Sequence, residues 1–220
     1  MRIITRLSIH LKKLNVHSAL ALAGMAGPVI LVVTDLTAAF STPGYNLVQH
    51  SISSLALSNI GWVQSIGFLA IGLLVEIFAA GLLFNIRDYR GFHLSIACLA
   101  IIGFGMLMLG AFHTNPINTP DTTESIIHNI AASGVFWLFP FTVLLMSRAL
   151  KHDWNWEGLY KYAVVTGILA FILVIIVVIL DDASSTWFGL AERLLVANMI
   201  IWVLVMGCRL FRISLTRVRS

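Results

Sequence analysis

Charge is scarce in this chain. Lys, Arg, Asp and Glu make up 11% of its 220 residues and hydrophobic types 59%, with a mean hydropathy of +0.92. A soluble domain carries about 25% charged residues, so a soluble globular fold is excluded. Cysteine is nearly absent: Cys98 and Cys208 fall inside apolar runs or at their ends, which reads as packing and argues against a disulfide framework. The sequence has no P-loop, no dinucleotide glycine motif, no Gly-x-Ser-x-Gly elbow, and no compact His-x-x-x-His or His-Glu-x-x-His spacing. No internal repeat, low-complexity tract or linker divides it, so residues 1–220 read as a single integral membrane domain.

What is present in quantity is apolar sequence. A spanning helix needs about 20 mostly apolar residues, and six stretches qualify, at about 17–40, 61–84, 93–113, 125–147, 159–180 and 187–208. Open sheet edges do not survive in lipid, so the predicted fold is all-α, a polytopic six-transmembrane-helix bundle. Thirteen of the 14 Lys and Arg residues lie before the first span, in the second-to-third and fourth-to-fifth connections, or after the sixth span. The other three connections have none. Basic loops stay in the cytoplasm, which predicts an inner or plasma membrane location, multi-pass, with both termini cytoplasmic. The net charge of +4 is then a membrane-proximal basic ring suited to anionic lipid headgroups, and no nucleic-acid partner is expected. Ile3, Leu7, Leu11 and Leu14 repeat at helical spacing beside Arg6, Lys12 and Lys13, which predicts a helix lying on the inner leaflet. Trp62 and Trp187 mark the outer interface; Trp154, Trp156, Tyr160 and Tyr162 mark the inner one.

The longest outer connection, 41–60, has its own pattern. Pro43 and Gly44 make a turn; Val48, Ile52 and Leu55 then form one stripe and His50, Ser53 and Ser54 another, which predicts a short interfacial helix after the first span. Asp121 followed by Glu124 predicts the start of the fourth helix.

Polar residues concentrate on this outer side. Asp35 ends the first span, His50 and Ser53 lie in the interfacial segment, and His113 ends the third span. His128 opens the fourth, and Glu192 and Arg193 open the sixth. An ionisable group in a membrane helix costs at least ~2.5 kcal/mol, so each should face the interior and have a partner. Arg193 breaks the charge bias alone. It is expected to pair with Asp35 or Glu192, or to hold an anionic phosphate or carboxylate group. His50, His113 and His128 are candidate ligands for a divalent metal such as zinc, which would activate a water. His50 and Ser53, three residues apart, are a candidate base and nucleophile, with hydrogen bonding as the plainer use. Glu76, alone in the second span, is either a packing partner or, with Asp35, part of a small transporter.

Several motifs in order carry a resemblance. His50-Ser51-Ile52-Ser53-Ser54-Leu55, Gly110-Ala111-Phe112 with Asn115-Pro116, His128 with Ala131 and Ala132, and Gly189-Leu190-Ala191-Glu192-Arg193 together resemble the domain of unknown function 998 family. Those are six-helix prokaryotic membrane proteins without an established activity. The resemblance implies that His50, Ser53, His128, Glu192 and Arg193 are the family's polar positions. Ser54, His113 and Asn115 depart from it, standing where Asp, Pro and Asp are common. Two potential carboxylates are thereby lost, which weakens an acid and base scheme built on the family.

The sequence thus predicts an outer-leaflet-facing polar site that binds or modifies a lipid or small amphiphile. Candidate catalytic residues are His50, Ser53, His128 and Glu192, with Arg193 and Asp35 binding the ligand. The rival readings are a non-enzymatic membrane sensor or complex subunit and a small transporter. Membrane lipids are the expected partners, and a homo-oligomer or a membrane complex partner is left open.

Overall fold

The computed structural model describes residues 15–116 and 119–217, so the surface helix predicted over 2–14 lies outside the described residues. Among the described residues six helices are each long and apolar enough to cross a membrane: α1 (Val16–Ser41), α2 (Gly61–Asn85), α3 (Phe92–Ala111), α4 (Thr123–Lys151), α5 (Tyr160–Asp182) and α6 (Phe188–Arg217). Among the described residues there is no strand. Each helix packs on the next in chain order, and α1 packs on α6, so the bundle closes as an up-and-down ring. The start of α1, the end of α6 and the connections at 86–91 and 152–159 lie at one end, the terminal end; the other three connections lie at the far end.

Local chemistry sets the helix boundaries. Asn15 caps α1 by accepting from the Ser18 amide at 2.9 Å. α4 starts one residue away from the predicted acidic pair: Thr122 and Ser125 form a reciprocal capping box, while Glu124 turns away to His113. We therefore expect Thr122→Ala to cost about 1 kcal/mol in a thermal or denaturant melt, and Asp121→Ala measurably less. The sixth helix runs to Arg217 rather than ending near 208. No Gly or Pro breaks it beyond Gly207, and cationic residues suit a helix C-terminus.

Between spans, small residues permit close approach, the usual solution where lipid supplies no hydrophobic drive. A Cβ on Gly72 would lie 2.8 Å from the Gly103 carbonyl, so α2 and α3 meet backbone to backbone. Glu76 lies directly over Gly103, with its Oε1 3.0 Å from where a Cβ would be, and lines none of the cavities described below.

The interfacial segment is helical only over Ser53–Leu57, as a single 3-10 turn. Its apolar stripe does turn inward: Ile52 and Leu55 are buried. At the terminal end one residue differs from expectation. Trp156 is fully buried, its indole N–H donating to the Asn85 carbonyl at 3.0 Å, so it is a core residue rather than a headgroup anchor; Trp154 is exposed.

Candidate functional site

The far end is built by a clasp between two segments 140 residues apart, the loop at 45–52 and the first turns of α6. Gly189 is the point of closest approach: a Cβ there would lie 2.3 Å from the His50 carbonyl oxygen. The Leu190 amide donates to the Val48 carbonyl at 3.0 Å, and the Ile52 amide donates to Glu192 Oε2 at 2.7 Å. Backbone groups left unpaired at a helix start and in a loop are thus satisfied across the clasp. Arg193 finishes it. Its Nη1 donates to the carbonyls of Leu47, His50 and Gly189 at 3.0, 2.8 and 3.2 Å, and its Nη2 to the Tyr45 hydroxyl at 2.5 Å. Asp35 Oδ1 lies 3.6 Å from Nη2. Of the two roles the sequence allowed Arg193, its geometry matches the first, an ion pair with Asp35, and it lines none of the cavities. Tyr45 passes its own hydroxyl hydrogen to the Ser51 carbonyl at 2.6 Å; burial pushes its phenol above the usual value, which keeps that donor protonated.

Three adjoining cavities lie behind and beside the clasp. An open bowl of about 700 Å³ at the far end is walled by Tyr45, His50, Ser51, Ser54 and Asn115. A vestibule of about 440 Å³ between α4, α5 and α6 shares Ser51, Thr114, Asp181 and Phe188 with the bowl. Below it, an apolar cleft of about 70 Å³ descends inside the ring along α2, α3, α4 and α6. Cleft and vestibule share Ser53, His128, Ala132, Phe136 and Glu192. Among the described residues Ser53, His128 and Glu192 are the only polar ones lining the cleft, and from Glu192 to Val203 it follows about three turns of α6, roughly 16 Å. The vestibule also opens sideways: Trp137 on α4 and Val178 on α5 line it and are 41% and 49% exposed.

The histidines do three different jobs. His128 is buried, and its Nδ1 lies 2.8 Å from the Phe112 carbonyl. A carbonyl can only accept, so Nδ1 carries the hydrogen, and in the neutral ring Nε2 is left with a lone pair. That nitrogen has no partner among the described residues. His113 is a brace instead: Glu124 Oε1 accepts from its Nδ1 at 2.7 Å and from its amide at 2.6 Å, and Nε2 lies 3.1 Å from Ser65 Oγ. His50 accepts from the Asn46 amide at 3.1 Å and faces the bowl. Metal ligation by His50, His113 and His128 does not fit this arrangement. Both ring nitrogens of His113 are engaged, and among the described residues no group of three His, Cys, Asp or Glu is placed to hold an ion. The proposed His50 and Ser53 pair is likewise divided. The chain does not turn helical until Ser53, so His50 lines the bowl while Ser53 lines the cleft and vestibule, its hydroxyl 3.3 Å from Ser51 Oγ.

The structure thus brings Ser53, His128 and Glu192 around one mouth, places His50 above it, and puts Arg193 and Asp35 in the clasp. Two further residues, not foreseen, line the vestibule: Asn129 and Ser133, exposed on one face of α4. Their signal was available as polar residues four apart in the far-end half of a span, next to the His128 and Ala132 stripe.

A family model described as Protein of unknown function (DUF998) matches residues 25–209. No curated protein and no solved structure matches the chain.

Proposed function

The chain belongs to the DUF998 family, whose function is unknown, and we propose that this multi-pass membrane protein binds a lipid or similar amphiphile, headgroup in the vestibule and tail in the cleft. The observation that carries this reading is the sharing of Ser53, His128 and Glu192 by a polar chamber and an apolar one. Protein interiors are close-packed, and an apolar void several times larger than the ~10–15 Å³ one water needs has, below the mouth lined by Ser53, His128 and Glu192, no polar side chain in its lining to retain water. An alkyl chain suits such a space; a polar ion path does not, since Glu76 and Asp35 line none of the cavities. The sideways opening at Trp137 and Val178 suits a ligand that arrives from the bilayer. The basic residues gathered toward the terminal end support an orientation with the far end, and with it this site, toward the outer leaflet.

Binding is supported more directly than turnover. His128 Nε2 could take a proton from a bound ligand, but Ser53 has no histidine hydrogen-bonded to it among the described residues and so no activating base.

Ala132, which lines both chambers, supplies the test. Ala132→Phe is expected to weaken binding of 1-dodecanoylglycerol, followed by native mass spectrometry of the detergent-solubilised protein, at least tenfold while the melt shifts by only a few degrees. Undiminished binding in that variant would remove the ligand from the mouth. Topology is checked separately: Ser184→Cys should react with a membrane-impermeant maleimide on intact cells, and protection there with reaction only in inverted vesicles would reverse the orientation.

A further inference from the structure

We infer that the headgroup this site accepts is a hydrogen-bond donor, an amine or a hydroxyl, and that it discriminates against phosphate; this rests on the amphiphile reading above. The walls supply the argument. Among the described residues no Lys or Arg lines the bowl, the vestibule or the cleft. Arg193, nearby in the clasp, commits Nη1 to three backbone carbonyls and Nη2 to Tyr45 and Asp35; its buried Nε has no partner among the described residues, but the residue lines none of the three cavities. Withdrawing it for a ligand would strip the clasp.

What the mouth does offer is acceptors. In its neutral form His128 presents a lone pair at Nε2, because Nδ1 carries the hydrogen that goes to Phe112. Glu192 uses Oε2 for the Ile52 amide, and its Oε1 has no partner among the described residues. Asp181 adds a second carboxylate in the vestibule wall. The Ser53 hydroxyl can accept as well as donate. A phosphate placed among these groups would lose its hydration and gain no cation, the costly case for a buried charge. An ammonium or a hydroxyl gains two or three acceptors on opposite walls, contributed by α4 and α6. The site therefore selects by what it lacks.

Three single-chain probes with one tail length decide the matter: dodecylamine, 1-dodecanoylglycerol and dodecyl phosphate, each titrated into the full-length protein in neutral detergent, with Ala132→Phe as the blocked control. The amine or the glyceride, or both, should bind at least tenfold more tightly than the phosphate. The chain's net charge of +4 attracts phosphate nonspecifically, so that background runs against the expected order. Glu192→Gln separates the two donors: it should weaken the amine about tenfold and the glyceride little if the ammonium sits on that carboxylate, and both alike if only the hydrogen bond counts. Phosphate binding as tight as that of either donor overturns the inference while leaving the amphiphile site standing. Binding of none of the three, or binding of all three unaffected by Ala132→Phe, removes the amphiphile site itself.

Discussion

Gly189→Ala is expected to destabilise the protein by ~3 kcal/mol, the upper end of the usual overpacking cost, lowering its melting temperature sharply or preventing its accumulation in the membrane. The added Cβ would sit 2.3 Å from the His50 carbonyl oxygen and 2.9 Å from the His50 carbonyl carbon and amide nitrogen. Those neighbours are backbone, so no side-chain rotation relieves the overlap, and overpacking of this kind costs 1–3 kcal/mol or more. Moving the start of α6 away would also lengthen the Leu190 to Val48 and Ile52 to Glu192 hydrogen bonds, now 3.0 and 2.7 Å. Gly134→Ala is the matched control. Nothing lies within 4 Å of a Cβ at Gly134, and in the interior of α4 alanine is favoured over glycine by about 1 kcal/mol, so that variant should melt at or above the wild type. Equal melts for the two substitutions would mean that the clasp is not formed.

Arg193→Met is the second large effect, expected to cost ~3–5 kcal/mol. Methionine keeps much of the length and none of the donors, leaving three carbonyls, the Tyr45 hydroxyl and the Asp35 carboxylate without their partner in a largely buried place. Arg193→Lys should recover little of this, because one ammonium cannot span acceptors that a planar fork reaches from two nitrogens. Asp35→Asn should cost under about 1 kcal/mol, since its contact is 3.6 Å and Asp35 Oδ1 makes no hydrogen bond. A series of melts checks this ranking. A stable Arg193→Met protein that had lost only ligand binding would return the arginine to the role of headgroup binder.

The distribution of effects explains what could be read from the sequence. The six spans are legible because every lipid-exposed turn must be apolar, and α1 to α3 differ from their predicted limits by one or two residues. Depth is legible for the same reason: Ser53, His128 and Glu192, which line one mouth, each sit near the far end of a span or in the loop beside it. Rotation and pairing are not. Whether His113 faced a metal or Glu124 depended on how the loop after α3 folds back to α4, and whether His50 joined Ser53 depended on where a 3-10 turn begins. Trp156 has the composition of an interface anchor, yet Asn85 offers it a buried carbonyl. Arg193 was conspicuous as a charge exception, but only its distances to Leu47, His50 and Gly189 reveal that it holds a loop.

The two motifs that sit farthest apart in the resemblance, at 50–55 and 189–193, turn out to be the two halves of the clasp. Its geometry explains their composition in this chain: glycine for approach, glutamate for an amide, arginine for a set of carbonyls. The same contacts fix the mouth, because Glu192 reaches the Ile52 amide on one side and lines the cleft on the other. If the mouth holds an amphiphile as proposed, stability and ligand binding are coupled at Glu192. Glu192→Ala is expected to lower both, by ~1–3 kcal/mol in the melt through the orphaned amide, whereas Ser53→Ala should leave the melt nearly unchanged.

The most direct test of the account is a structure of the protein with 1-(12-bromododecanoyl)glycerol, in which anomalous scattering locates the end of the tail. The account predicts a bromine peak inside the ring beside Val75, Ile102 and Val203, with the glycerol between His128 and Glu192. Bromine found only on the outer surface of the helices, with the cleft unchanged, would contradict it.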